Sequence, residues 1–153
     1  RERLLLQIAV LLHDCGKYIN MAQSSACSYN IIMATEIIGL SHAEREMVAN
    51  VVRFNSSLFM SYEELAAGSL LDREEYLIIA KLTAILRVAN ALDRSHKQKI
   101  KDIKVSMKGG HTMQILVDTA EDLTLEQALF REKAEFFEEV YSIRPVLKAK
   151  KLL

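Results

Sequence analysis

The 153-residue sequence holds one proline, five glycines and two cysteines. Cys15 and Cys27 are too few for a disulfide framework and fit a reducing, cytoplasmic setting. With so few glycines there is no Gly-rich phosphate loop. The single proline and the lack of any Pro/Gly/Ser-rich linker, repeat or low-complexity segment suit one domain of ordinary size. No apolar run approaches the length that crosses a bilayer. No charged-then-apolar leader is visible. The first residue is Arg1 rather than methionine, which suggests an excised domain, a processed chain or missing leading residues. Twenty Lys/Arg balance twenty Asp/Glu, so bulk attraction to nucleic acid or to a membrane is not implied.

What the sequence does have is apolar residues at helical spacing. Residues 2–13 form an apolar stretch that ends at Gly16, a helix exit. A second, shorter helix is expected over 27–38. "SHAE", with Ser41 as N-cap and Glu44 three residues on, opens a helix to about Asn55. "SYEE" repeats the device at Ser61 and Glu64, and "DREE" at Asp72 to Glu75 starts the longest helix. After His96 the period changes to two. "IKDIKVSM", "GG" and "HTMQILVD" predict a hairpin. Thr124 is expected to cap a further helix, and "IRPVLKAK" to add a third strand. The fold class is thus mainly α, a helical core over 1–98 followed by a small α+β tail over 99–153, packed together as one domain.

Three residues stand out chemically. Asp93 lies four residues after Ala89 and seven after Leu86, on the apolar stripe of the long helix. His13 holds the same relation to Ala9 and Leu6, and Asp14 follows it. A carboxylate on an apolar face must be paired, hydrogen-bonded or metal-bound. A histidine nitrogen with two carboxylates suits Mg, Mn or Fe, which would polarise a phosphoryl oxygen. The alternative is a hydrogen-bonded His–Asp pair, with Asp93 taking Arg53 or Arg87.

Charge is unevenly spread. Between Arg94 and His111 six Lys/Arg meet one acid, whereas between Asp118 and Glu139 eight acids meet two bases. Two solvated faces that attract each other explain this, and so does a basic stretch that meets an anion.

"LLHDCGKYI", "SYNII", "GLSHAEREMVANVVRF" and "LTAILRVANALDRSHKQKI", in this order, resemble the HD domain near the C-terminus of the exopolyphosphatase / guanosine pentaphosphate phosphohydrolase family. The resemblance covers nearly the whole chain and implies an HD-domain-like helical bundle. It implies that phosphoanhydride hydrolysis belongs to two preceding actin-like domains, leaving no catalytic residue here and this domain alone inactive. It implies a cytoplasmic module that helps bind polyphosphate or a similar polyanion and contributes to a homodimer, with no membrane or nucleic-acid partner. The phosphate-facing candidates are Lys17, Arg53, Arg87, Arg94, His96 and Lys97.

His13, Asp14 and Asp93 match the family's HD motif, but Cys27 and Asn55 stand where relatives carry histidines. A soft and a weak ligand disfavour a two-metal hydrolytic site. One divalent cation at a degenerate site, or none, is the expectation. Two other functions remain: a self-sufficient metal-dependent phosphohydrolase acting on a nucleotide such as (p)ppGpp through His13, Asp14 and Asp93, and a dimerisation module without a ligand.

Overall fold

A computed structural model describes residues 1–151. Contacts group the chain into two compact units, Arg1–Leu86 and Arg87–Leu153, divided inside the longest helix.

The first unit is helical. α1 (Glu2–Leu12) runs into a 3₁₀ turn (Cys15–Tyr18), followed by α2 (Ser24–Ala34), α3 (His42–Ser56), α4 (Tyr62–Ala66) and the start of α5 (Arg73–Leu92). The starts of α3 and α4 are fixed locally. Ser41 and Ser61 accept from the backbone of Glu44 and Glu64, whose carboxylates reach back to the cap N–H groups. Asp72 and Glu75 make the same reciprocal pair at the head of α5, both bonds 2.9 Å. α2 starts three residues earlier than expected and stops at Ala34. Asn20 Oδ1 accepts from the N–H groups of Ala22 and Gln23 just ahead of it, and Thr35 is extended. The core gathers Leu5 and Ala9 of α1, Ile32 of α2, Met47, Val48, Val51, Val52 and Phe54 of α3, and Ile79, Leu82 and Leu86 of α5. Each large side chain fully buried here contributes about 1.5–3 kcal/mol.

The second unit holds the end of α5, then β1 (Asp102–Lys108), β2 (Thr112–Thr119), α6 (Thr124–Tyr141) and β3 (Arg144–Lys151). The hairpin turns at Gly109 and Gly110, both at positive φ, where glycine avoids the Cβ clash. β1 pairs antiparallel with β2, and β2 parallel with β3, in the order β1-β2-β3. A parallel neighbour needs a long crossover, which α6 supplies. β2 buries Ile115, Val117 and Thr119 at period two, as a strand packed on one face must. Thr124 is not the cap of α6 but its first residue. Asp122 Oδ1 accepts from both the Thr124 N–H, at 3.3 Å, and its hydroxyl, at 2.7 Å. Among the described residues no helix is long and apolar enough to cross a membrane.

Candidate functional site

The His13–Asp14 pair sits where α1 gives way to the 3₁₀ turn. His13 is the C-cap residue, and its Nδ1 lies 2.6 Å from Val10 O, so that nitrogen carries the proton. Nε2 lies 3.6 Å from Asp14 Oδ2, and Asp14 Oδ1 meets Lys17 Nζ at 2.8 Å. Gly16 is the hidden requirement of this turn. Its N–H donates to Ser28 Oγ at 2.9 Å, and a Cβ here would strike the backbone of Ser24 and Ser28. The run His-Asp-x-Gly-Lys is therefore a helix stop, an ion pair across one turn and a close approach to α2.

These atoms fit a divalent cation poorly. The pair offers one nitrogen and one oxygen, where Mg²⁺ takes six ligands. The Lys17 ammonium already faces the carboxylate. Among the described residues no group of three or more His, Cys, Asp or Glu side chains could hold a metal ion. Cys27 is a half-buried free thiol, and Asn55 has a buried Oδ1 without a hydrogen-bond partner.

The basic stretch lies in the second unit. α5 stops at Leu92, so Asp93 and Arg94 fall beyond it and not on its stripe as the spacing predicts. The reason is a side-chain bond that sequence periodicity does not carry. Asp93 Oδ1 accepts from the Gln98 N–H at 2.9 Å, and Asp93 O from the His96 N–H at 2.9 Å. The chain turns tightly between them, with His96 and Gln98 at positive φ. Asp93 is thus the clamp of a loop.

A second clamp holds the other side. Glu126, on α6, has no exposed side-chain surface. It accepts from the Ser95 hydroxyl at 2.6 Å and from Lys99 Nζ at 3.1 Å. Burial pushes its carboxyl up, but the Ser95 hydroxyl, its own backbone N–H and the Lys99 ammonium together pull it below the ordinary value. Lys99 also donates to Asp122 O at 2.8 Å, and its own carbonyl accepts from Thr119 Oγ1. Between the clamps Arg94, His96 and Lys97 are all exposed. The loop therefore displays two permanent cations and an imidazole on a backbone fixed at both ends. Sequence reasoning picked out these three residues and missed Glu126 and Ser95, the groups that hold them. Glu126 reads like any other acid of an acidic helix.

The remaining basic candidates are spent on neighbours. The Arg53 guanidinium lies 5.4 Å from the Tyr29 ring centroid and 5.8 Å from that of Phe54. Arg87 stacks on Phe136 at 4.6 Å, and burial lowers its pKa against the opposing pull of Glu132. Lys17 is paired with Asp14, as above. A polyanion would meet the 94–97 loop at least cost in broken contacts.

Residues 1–135 match the family model described as Ppx/GppA phosphatase, domain III. No curated protein matches the chain.

Proposed function

We propose, because the chain belongs to the Ppx/GppA phosphatase family, that it is a polyanion-binding domain of an exopolyphosphatase-type protein, with hydrolysis on preceding actin-like domains. The observation that carries this reading is the clamped loop, which holds Arg94, His96 and Lys97 exposed while the neighbouring acid, Asp93, accepts from the Gln98 N–H. An ordered loop loses less conformational entropy on binding than a floppy basic tail would. The reading needs no metal ion, and it includes a cytoplasmic setting and self-association as a homodimer.

Polyphosphate carries roughly one negative charge per internal phosphate. Binding is then largely counterion release, as on nucleic-acid backbones. The test is titration of the chain with long and short polyphosphate, before and after the double change Arg94→Glu and Lys97→Glu. Affinity for long chains should fall more than affinity for short ones, because in this reading only a long chain reaches the loop while it is held by contacts elsewhere. Equal loss at both lengths, or no loss, defeats the reading. Turnover of a generic phosphodiester by the isolated chain would favour a self-sufficient hydrolase instead.

A further inference from the structure

β1 is an edge of the three-stranded sheet, paired with β2 on one side only. All its residues are exposed except Ser106, which is half-buried. Ile103, Val105 and Met107 alternate with Asp102, Lys104, Ser106 and Lys108, so the strand has one apolar and one polar face. Across the ladder Val117 faces Ile103 and Ile115 faces Val105. Those two β2 residues are 0% and 4% exposed, whereas Ile103, Val105 and Met107 are 46%, 56% and 50% exposed. The apolar face is therefore covered at β2 and left open at β1. An open edge with an apolar stripe is a template for another strand.

The charges of the strand select which one. Lysines on an edge ordinarily guard it against pairing. When two copies of one edge meet about a two-fold axis normal to the sheet, residue i faces j and j faces i, with both apolar faces on the same side. An axis at Lys104 sets that lysine against its own copy. An axis at Ser106 sets Lys104 against Lys108 twice. Like charges directly opposite are destabilising, so the lysines do guard against these registers. An axis at Ile103 or Met107 overlaps only the strand ends. An axis at Val105 pairs all seven residues of the strand. It sets Asp102 against Lys108 of the second copy and Lys108 against Asp102 of the second copy. Lys104 then faces Ser106, Ile103 faces Met107 and Val105 faces itself. Among the described residues Asp102, Lys104 and Lys108 form no ion pair within the chain, so their charges are available to a partner.

We propose that β1 pairs antiparallel with β1 of a second copy of this chain, about a two-fold axis at Val105. The two three-stranded sheets then continue as one sheet of six strands. The backbone groups along the open edge gain partners. Ile103, Val105 and Met107 pack against the same three residues of the copy, and two Asp102–Lys108 pairs fix the register. The inference rests on the self-association included in the proposed function and names its surface. It makes no use of the 94–97 loop.

The test is sedimentation equilibrium of the intact chain at low ionic strength, where exposed ion pairs are least screened. The unaltered chain should dimerise in the micromolar range. Asp102→Lys faces Lys108 with a like charge at two places and should weaken the dimer at least tenfold. Lys108→Asp should do the same by facing Asp102 with an acid. The double change Asp102→Lys and Lys108→Asp restores unlike pairs and should recover most of that loss. Lys104→Ala, opposite a serine, should leave the dimer almost unchanged. A chain that stays monomeric overturns both the inference and the self-association beneath it. A dimer indifferent to the single reversals, or a double reversal as weak as the singles, overturns the inference and leaves self-association standing. All the altered side chains are exposed, and the double reversal keeps the net charge of the strand, so its rescue separates pairing from a damaged fold.

Discussion

Replacing Lys99 with methionine keeps the reach of the side chain and removes the ammonium that faces Glu126 at 3.1 Å. Glu126 is left with no exposed side-chain surface, supported by the Ser95 hydroxyl and its own backbone N–H. Removing one partner of a buried pair costs about 3–5 kcal/mol, because the other charge stays buried. The remaining donors and the 17% exposure of the Lys99 side chain put this case at the lower end, about 3 kcal/mol. For a chain of this length that is a fall of roughly 6–12 °C in melting temperature. Adding Glu126→Gln removes the stranded charge and should recover about 2 kcal/mol of the loss, a coupling within the range for residues in contact. Urea denaturation of the two single variants and the double variant at pH 7 measures all three terms. The pH dependence supplies a second check. A carboxyl held below its ordinary value of 4.5 stabilises the fold above that pH and ceases to do so as pH falls through its folded value. The gap between wild type and Lys99→Met should therefore narrow in acid. A single-variant cost below about 1 kcal/mol, with no recovery in the double variant, would refute the claim that this pair holds the basic loop.

Gly16→Ala should destabilise the first unit by about 1–3 kcal/mol, the range for overpacked sites, since the new methyl meets backbone rather than a movable side chain. A change below about 0.5 kcal/mol in urea denaturation would mean that the turn yields. His13→Ala should cost about 1 kcal/mol through the lost bond to Val10 O and leave polyphosphate affinity unchanged. Lost affinity with unchanged melting would give His13 a ligand role. The Arg1 guanidinium, together with the Ser41 backbone N–H, holds the Glu44 carboxyl at about 2. Its stabilising effect is complete above about 4.5 and disappears as pH falls towards 2. The melting difference between wild type and Arg1→Ala should be full at pH 6 and close near pH 2. A difference independent of pH would assign the effect to packing.

Features written in local chemistry were legible without coordinates. Ser41 with Glu44, Ser61 with Glu64 and Asp72 with Glu75 each close within one turn, so a stretch of four residues suffices to read them. The hairpin around Gly109 and Gly110 is equally local. The end of α5 was not legible. Its apolar spacing runs on through Ala89 and Leu92, and the stop comes from Asp93 taking the N–H of Gln98. Glu126 was hidden for a related reason. Its partners Ser95 and Lys99 lie more than twenty residues away, and nothing in "LEQALF" marks one acid as buried. The His13–Asp14–Lys17 grouping was readable as residue types, but its use as a turn depends on Gly16 lying against α2.

The central claim is that a loop held by Asp93 and Glu126 offers its cations to a polyanion. The most direct measurement is the affinity of the chain for long polyphosphate as a function of salt. Log affinity should fall linearly with log salt. Reversing Arg94 and Lys97 to glutamate should flatten that slope by about 1.4, at roughly 0.7 per lost phosphate contact. No saturable binding at low salt, or a slope unchanged by the reversal, would contradict it.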